Sequence, residues 1–365
     1  MQSNRIITAN RVIYQKEIVP ELKQHFRYIT NKHEQLLLIL DLIDINVIYP
    51  NSAWNTRFGR PIEHRHKFVI AFIAKALWNI AQTNTLIEYL KVDKVLRAIC
   101  GFDERNFLLP SESTFSRAFA EISDSKVGEK LLEYIIIVHC SETLQEHVSI
   151  DGSAIPVAEK ANPVTKIWVK TKSGKKKRVV KNKNSSTIQL TQDTDTILNS
   201  LSTVCDYGTK KDSKGYKYTW KGYKLHVAVN DYNIPVAAIV TSASVNDTLA
   251  AIPLIRTVED RVDNLYYLMD KGYDATAIRT EINNHGKVGL IDFNHRGNKN
   301  DTREFMPHEQ TRYGNRAFSE SLFSHLKMQH LPSYILYRGI DKVKTVLNFA
   351  LSVIATLQII KYSSA

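Results

Sequence analysis

The sequence predicts an α/β protein in which a mixed sheet flanked by helices follows an all-helical N-terminal domain. Up to about residue 125, apolar residues recur at helical spacing. Beyond residue 145, short apolar runs alternate with amphipathic segments, which is typical of strands and helices that follow one another along the chain. A length of 365 residues suits two domains better than one.

The basic residues are concentrated in one stretch of the chain. The net charge is +12, which favours a polyanionic partner, although a ribosomal or membrane-associated protein would show the same value. Ten Lys and Arg residues, and no acidic residue, lie between Lys160 and Gln192, so the rest of the chain carries only 12 − 10 = +2. This concentration predicts a docking surface.

The cysteines and the apolar stretches predict a cytoplasmic protein. Cys100, Cys140 and Cys205 are odd in number and lack metal-ligand spacing, which argues against a disulfide framework or a zinc site. The first residues lack the apolar core of a signal peptide. The most apolar stretch, Phe349–Ile360, is interrupted by polar residues and predicts a buried helix, not a membrane span.

Residues 1–125 are predicted to form a helical DNA-binding domain, and residues 126–144 a connecting helix. Ser111, after a proline, is a plausible N-cap for a helix that carries Arg117. Short helices before this Ser/Thr/Arg-rich one are typical of a helix-turn-helix, in which Arg117 would face DNA. A helical bundle without DNA contact is the alternative. The predicted helices are Leu36–Ile43, Phe68–Ile80, Thr85–Leu90, Val92–Cys100, Ser111–Ile122 and Leu131–Val138.

Five strands, with two helices between them, are predicted after residue 145. Residues 157–220 are basic and lack periodicity, and they predict an insertion or a flexible arm, with a solvated segment of no function as the alternative. The order of the remaining elements is that of an RNase H-like core over residues 145–330, followed by a C-terminal helix over 331–365. The strands are His147–Asp151, Tyr223–Asn230, Pro235–Ser242, Leu265–Asp270 and Val288–Phe293, with helices from Asn246 or Asp247 to Val258 and from Asp274 to Asn284.

Four polar residues near the C-terminus share one predicted helix face. Tyr313, Arg316, Glu320 and Lys327 stand at offsets 0, 3, 7 and 14, which places them within an arc of roughly 60°. A solvated face with an Arg316–Glu320 pair is the ordinary interpretation. A carboxylate flanked by basic groups would also suit a metal-dependent enzyme that acts on phosphates.

Two aspartates upstream add carboxylates to this set. Asp151 and Asp270 each end a predicted strand and lie next to or near a glycine. The ordinary interpretation of each is a strand-end Asp-Gly turn. Three carboxylates that lie close together repel one another unless a divalent cation such as Mg²⁺ binds between them.

These motifs together resemble the DDE transposases of bacterial insertion sequences. The pattern Tyr-x2-Arg-x3-Glu-x6-Lys is a complete match to their signature. The other matching blocks are Val148–Ser153, Trp220–His226, Thr241–Asp247 and Leu268–Tyr273. The resemblance implies that Asp151, Asp270 and Glu320 are catalytic and bind Mg²⁺, or alternatively Mn²⁺. It also implies that Tyr313, Arg316 and Lys327 contact phosphates near the cleaved DNA end.

The resemblance also implies the partners. They are double-stranded DNA, as terminal inverted repeats and as target, and a second copy of the chain in a synaptic complex within the bacterial nucleoid. Only 320 − 270 = 50 residues separate Asp270 from Glu320, which leaves no room for the β-rich insertion of many relatives. The basic arm would instead follow the duplex, through Lys175, Lys176, Lys177 and Arg178. An RNase H-fold nuclease without strand transfer and a catalytically silent DNA-binding protein of transposase origin are the alternatives.

Overall fold

The chain begins with helices, continues through a sheet and ends with a long helix. The computed structural model describes residues 28–53, 64–102, 109–162, 167–170, 174, 176–179, 185–211, 215–295 and 303–363. The first helices are Asn31–Asp41 (α1), Ile45–Ile48 (α2), Arg65–Leu77 (α3), Thr83–Val92 (α4), Lys94–Ile99 (α5), Glu112–Asp124 (α6) and Val127–Cys140 (α7).

The remaining elements alternate between strands and helices. The strands are Gln145–Pro156 (β1), Ile167–Lys170 (β2), Lys176–Val179 (β3), Asp206–Lys211 (β4), Lys217–Asn230 (β5), Pro235–Ser242 (β6), Asn264–Met269 (β7) and Val288–Ile291 (β8). The helices are Ser186–Gln189 (α8), Thr194–Ser200 (α9), Asp247–Glu259 (α10), Thr276–Asn284 (α11), Pro307–Tyr313 (α12), Ala317–His325 (α13) and Ile340–Tyr362 (α14).

The main sheet has the strand order of an RNase H-like core. Strand β1 is central, with β5 antiparallel on one side and β7 parallel on the other. Strand β6 extends the sheet beyond β5, and β8 runs parallel to β7 at the opposite edge. Strand β4 pairs with the first half of β5 and makes six strands in all among the described residues. The predicted fold class is therefore confirmed.

The C-terminal helix α14 lies between the N-terminal helices and the sheet. It packs against α1, α3, α6 and α7 on one side and touches β6 on the other. Its apolar residues, such as Val343, Leu347, Leu351 and Ile354, follow helical spacing and are fully buried. Its length and composition would suit a membrane crossing, but most of it is enclosed by protein. It is therefore best described as a core helix that joins the helical part to the sheet.

Three elements differ from their predicted form. Strand β1 does not end at Asp151 but continues to Pro156, because its second half pairs with β5. Asp274 does not cap α11; its N-cap is Ala275, and the Asp274 carboxylate accepts hydrogen bonds from Arg279. The segment from Tyr313 to Lys327 is not one α-helix. It passes from α12 through a 3-10 turn and α13 into a π-helical turn.

The basic segment 157–220 contains folded elements where a flexible arm was predicted. It includes α8, α9, β4 and the first residues of β5. Ile197 of α9 is fully buried, and the Gln189 side chain of α8 donates to the backbone oxygen of Leu249. Strands β2 and β3 form a separate two-stranded sheet. The segment is still inserted between two core strands, but much of it packs on the core.

Candidate active site

Asp151 and Asp270 lie side by side where two parallel strands stop pairing. The parallel register of β1 and β7 ends with Ile150 opposite Met269, and the two aspartates come next. Neighbouring strands lie about 4.8 Å apart, so the two carboxylates start from adjacent backbone positions. Asp151 therefore lies within β1 and not at its end. It is still beside Asp270, because both residues directly follow the last parallel pair of the two strands. α/β folds place ligand sites at this end of their parallel strands.

Backbone N–H groups hold one oxygen of each carboxylate. The Gly152 N–H donates to Asp151 Oδ1 over 2.7 Å, and the Gly272 N–H donates to Asp270 Oδ1 over 2.8 Å. Gly152 leaves room for its neighbours, since a Cβ there would lie 3.2 Å from Asp247 Oδ1 and from His226 Nδ1. The hydrogen bonds fix the orientation of both carboxylates.

Burial makes the Asp151 carboxylate unusual. Desolvation raises its pKa from 3.8 to about 6, and the neighbouring charge of Asp270 adds to the increase. The Gly152 hydrogen bond and the charges of Lys210 and Arg316 act in the opposite direction but do not cancel it. The ionised carboxylate is therefore short of positive charge, which a bound cation would supply.

The helices that carry the C-terminal signature cross over strand β1. The Ser149 hydroxyl donates to Ser319 Oγ over 3.2 Å, and the Lys327 ammonium donates to Ser153 Oγ over 2.6 Å. The two contacts are four residues apart on the strand and eight residues apart on the helices, and each spacing covers about 12–13 Å. The helices therefore run alongside β1. Because Asp151 lies midway between the two serines, the helix level that faces it falls near Phe323, less than one helical turn from Glu320.

Glu320 lies less than one helical turn from this level, and its side chain is engaged elsewhere. Its carboxylate accepts a hydrogen bond from Arg316 Nη2 at 2.5 Å, and the side chain is 59% exposed. Within the part of the chain that the structure describes, no group of three His, Cys or acidic side chains is placed to hold a metal ion. The structure therefore brings Asp151 and Asp270 together, and it shows Glu320 in the i, i+4 ion pair.

The basic and aromatic residues of the signature surround the aspartates. Desolvation raises the pKa of Tyr313 to about 12, and the nearby charges of Asp270 and Asp151 contribute. Desolvation lowers the pKa of Lys327, and Asp151 opposes the decrease. The guanidinium of Arg316 also interacts with Asp151. Tyr313, Arg316 and Lys327, which are predicted to contact DNA, therefore all interact electrostatically with the Asp151 carboxylate.

The donor set fits a hard divalent cation. Asp151 and Asp270 offer oxygen ligands, and the pKa of Asp151 is raised by desolvation and further by the charge of Asp270. Mg²⁺ uses one or two carboxylates, with water and substrate phosphates completing its shell. The residues present therefore fit Mg²⁺ through Asp151 and Asp270.

Sequence reasoning missed several residues near this site. Asp292 follows β8 directly, and the register of β7 with β8 places it next to Asp270, so the row of carboxylates has a third member. If the predicted strand had ended at Ile291, a search for acidic residues directly after each strand would have found Asp292. Lys210 of β4 and Ser153 of β1 carry no sequence signal of this kind, because only the fold brings them here.

A polar cluster around the buried His226 supports the strand behind Asp151. The Lys224 ammonium donates to Asp247 Oδ1 at 2.8 Å, and the fully buried His226 lies 3.8 Å from the same oxygen. Burial lowers the pKa of His226 to about 4, so the imidazole is neutral at physiological pH. A neutral, enclosed histidine is suited to a structural role next to Gly152.

The other predicted DNA-binding residues lie away from this site or outside the described chain. Arg117 is exposed on α6, whose N-cap is Ser111 as predicted. Lys175 lies outside the described residues. Lys176, Lys177 and Arg178 form part of β3, of which only the backbone is described. Their contact with DNA stays a prediction.

One comparison with known proteins identifies a relationship. The family model described as "Transposase DDE domain" matches residues 142–345, which is more than half of the chain. The matched region includes both aspartates, the main sheet and the whole signature. No curated protein and no solved structure matches the chain.

Proposed function

Because the chain belongs to the family of transposase DDE domains, we propose that it cuts the ends of a mobile DNA element and joins them to target DNA through Asp151, Asp270 and Glu320. The observation that carries the proposal is the pairing of Asp151 and Asp270 at the end of parallel pairing, beneath helices that carry Arg316 and Lys327. Carboxylates next to fixed positive charge suit a reaction on the phosphates of DNA.

Asp151 and Asp270 hold Mg²⁺ in this proposal. When bound, the ion lowers the pKa of a water molecule and stabilises the leaving oxygen of a phosphodiester. The N–H groups of Gly152 and Gly272 keep the two carboxylates in their orientation. Mn²⁺ has the same preference for carboxylate and water oxygens and is an alternative ion.

Lys327 and Arg316 bind the DNA backbone on the two sides of Asp151. Lys327 is anchored on Ser153, and Arg316 interacts with both Asp151 and Glu320. Phosphate contacts of this kind position a duplex without reading its sequence. Tyr313 adds a hydroxyl on the side of Asp270.

Glu320 completes the site when DNA binds. A DNA phosphate that binds Arg316 would release the Glu320 carboxylate from its ion pair with that residue. An exposed i, i+4 pair contributes only about 0.3–0.5 kcal/mol, so its loss is easily offset by metal binding. Glu320 then turns toward Asp151 from a position less than one helical turn away.

The substrates are the two DNA ends of the element and a target duplex, with a homodimer that holds both ends together. The basic arm, including Lys175, Lys176, Lys177 and Arg178, would follow the duplex backbone, and Arg117 would contact it from α6. The net charge of +12 favours such a partner.

The central test is cleavage of element-end DNA by the full chain with Mg²⁺. We expect Asp151→Asn and Asp270→Asn to abolish cleavage while gel-shift binding of the DNA persists, since neither change removes a basic residue. Asp193→Asn is the matched control, because Asp193 is an exposed cap of α9 and should leave cleavage unchanged. Cleavage at the wild-type rate by either active-site variant would disprove the assignment.

Strand transfer separates a transposase from a nuclease on the same fold. A pre-cut end with a free 3′-OH is incubated with a supercoiled target plasmid. We expect joined products, and their formation should need Asp151 and Asp270. Cleavage of intact ends without any joining of pre-cut ends would favour the nuclease.

A further inference from the structure

Gly152 lies between the Asp151 carboxylate and a group of polar side chains on the other face of the sheet. Successive residues of a strand project to opposite faces. Asp151 and Ser153 therefore share the face on which the signature helices lie, and position 152 projects the other way. There a Cβ would come within 3.2 Å of Asp247 Oδ1, from α10, and of His226 Nδ1, from β5.

Three side chains form this group, here called the rear cluster: Lys224, His226 and Asp247. The Lys224 ammonium donates to Asp247 Oδ1 and to the Val245 backbone oxygen, in each case over 2.8 Å. Its stem also covers Gly152, since a Cβ there would lie 3.5 Å from Lys224 Cδ. The two hydrogen bonds of the ammonium therefore hold both the lysine and the aspartate against the glycine.

His226 is held in one orientation by Thr241. Its Nε2 lies 3.0 Å from Thr241 Oγ1, and the single hydroxyl proton of Thr241 is donated to the Ser242 backbone oxygen. The imidazole is therefore the donor to Thr241 and carries its proton on Nε2. Its Nδ1 is a buried acceptor without a hydrogen-bond partner among the described residues. Because such an acceptor is destabilising, stability alone does not account for a histidine beside Gly152.

The Asp151 carboxylate depends on Gly152 for its orientation. Within the described part of the chain, the Gly152 N–H is the one group that donates a hydrogen bond to this carboxylate, over 2.7 Å to Oδ1. A carboxylate held by a single bond follows the peptide that supplies the bond. The rear cluster contacts the same glycine from the opposite face, so a change in the cluster alters the direction of the carboxylate.

We infer that the rear cluster positions the Asp151 carboxylate for its cation by holding Gly152 from the opposite face of the sheet. The inference rests on the proposed function, because it concerns the cation that Asp151 and Asp270 are proposed to hold. Groups that orient a metal ligand without touching the metal change its affinity about 10–100-fold when they are replaced. The members of the rear cluster are therefore positioning residues and not catalytic ones.

The first test measures Mn²⁺ binding to the full chain without DNA, from the loss of the EPR signal of free Mn²⁺. Asp247→Ala removes the contact with Gly152, and we expect Mn²⁺ to bind about ten-fold more weakly. Asp247→Asn keeps the shape and an acceptor for Lys224, so it should recover most of the affinity. Equal weakening by both changes would attribute the effect to lost charge and would overturn the inference.

Gly152→Ala tests the same contact from the side of the strand. The added methyl would lie 3.2 Å from His226 Nδ1 and Asp247 Oδ1, so its neighbours must move, and Mn²⁺ should bind about ten-fold more weakly. Asp247→Ala opens room for the methyl, so the double variant should lose less than the two single variants predict together. Gly128→Ala is the matched control, because its methyl is equally crowded, 3.1 Å from the Thr345 oxygen, but lies between α7 and α14. It should leave Mn²⁺ affinity unchanged.

A second readout does not depend on a bound ion. Glycine-selective ¹⁵N labelling gives one amide signal for each of the 14 glycines, and Asp151→Asn identifies the signal of Gly152. We expect Asp247→Ala to shift this signal and Asp247→Asn to leave it in place. An unchanged Gly152 signal with unchanged Mn²⁺ affinity in folded Asp247→Ala protein would contradict the inference.

Failure of the proposed function gives a different result. A wild type that binds Mn²⁺ but cuts no element ends contradicts the proposed function, and the Mn²⁺ and NMR comparisons still decide the role of the rear cluster. A wild type that cuts DNA, with normal Mn²⁺ binding by Asp247→Ala and Gly152→Ala, overturns only the rear cluster. If the cluster acts through metal affinity, high Mg²⁺ should restore cleavage by Asp247→Ala and not by Asp151→Asn.

Discussion

Replacing Asp151 by asparagine should stabilise the metal-free protein at neutral pH, although Asp151 is proposed to be essential for catalysis. Asparagine has the same shape, keeps an oxygen for the Gly152 N–H, and removes the buried charge. The folded-state pKa of Asp151 is raised from 3.8 to about 6. A difference of 6 − 3.8 = 2.2 corresponds to about 3 kcal/mol at 1.36 kcal/mol for each pKa unit.

The sign of the pH dependence follows from the raised pKa. Below pH 3.8 the group is protonated in both the folded and unfolded states, and the protonated carboxyl is tolerated in the fold. As the pH rises through about 6, the folded state must also ionise, and this contribution to stability is lost. The free energy of unfolding of the wild type is therefore lowered by up to about 3 kcal/mol above pH 6, whereas that of the Asp151→Asn variant is not.

Thermal unfolding in EDTA measures this difference. An unfolding entropy of about 2.1 cal/mol/K for each residue gives about 0.8 kcal/mol/K for a chain of this length, so 3 kcal/mol raises Tm by about 4 °C. We expect Asp151→Asn to raise Tm by up to this amount at pH 8 and by almost nothing at pH 4. Mg²⁺ should raise the Tm of the wild type and have little effect on the variant.

The exposed Asp193 is the control with the opposite sign. Hydrogen bonds from Thr196 lower the pKa of Asp193, so its charged form is favoured in the fold and Asp193→Asn should not stabilise the protein at pH 8. A Tm for Asp151→Asn that is lower than that of the wild type at pH 8, or an equal gain at pH 4 and pH 8, would refute the buried-charge argument.

Three further predictions concern packing and DNA contact. Gly222→Ala should cost more than about 4 kcal/mol in urea unfolding, because φ is +149° and a Cβ would lie 2.1 Å from the Ile155 oxygen. Gly128→Ala should cost about 1–3 kcal/mol in the same measurement, since a Cβ would lie 3.1 Å from the Thr345 oxygen of α14. Lys327→Gln should weaken DNA binding and lower the slope of log K against log salt by about 1, with urea unfolding unchanged.

The sheet core could be predicted because its strands are buried. Apolar runs such as Tyr267–Met269 and Pro235–Ser242 are covered by helices or neighbouring strands, and burial selects apolar residues there in a pattern that the sequence shows. The order of these runs indicated the RNase H-like topology. The same pattern placed Asp151 and Asp270 at the same level, since each follows the buried part of a strand.

The hairpin of β4 and β5 could not be predicted from periodicity. Tyr207, Thr209, Lys210 and residues 217–219 are exposed, and the sequence of β4 offers no alternation of apolar and polar residues. The strand exists because it pairs with β5 and because Gly208 accommodates the Trp220 ring. Both are tertiary contacts, which local propensity does not report.

The division of the signature helix into four segments has a similar cause. The sequence from Tyr313 to Lys327 has ordinary helical periodicity, and only Gly314 weakens a continuous α-helix. The break follows from contacts with β1, in which Ser149 meets the Arg316 oxygen and Ser319. The helical wheel therefore predicted the Arg316–Glu320 pair that the structure shows, but it did not predict the breaks in the helix.

The three carboxylates differ in how firmly they are held, which would suit a site that is completed only when the substrate binds. Asp151 and Asp270 are fixed by backbone hydrogen bonds and repel one another, so the pair favours a cation at all times above pH 6. Glu320 is exposed and held by Arg316, a weak contact that a DNA phosphate can replace. In the proposed function the substrate's own charge releases Glu320, so a complete metal site would form only where DNA is already bound, and cleavage would be coupled to binding.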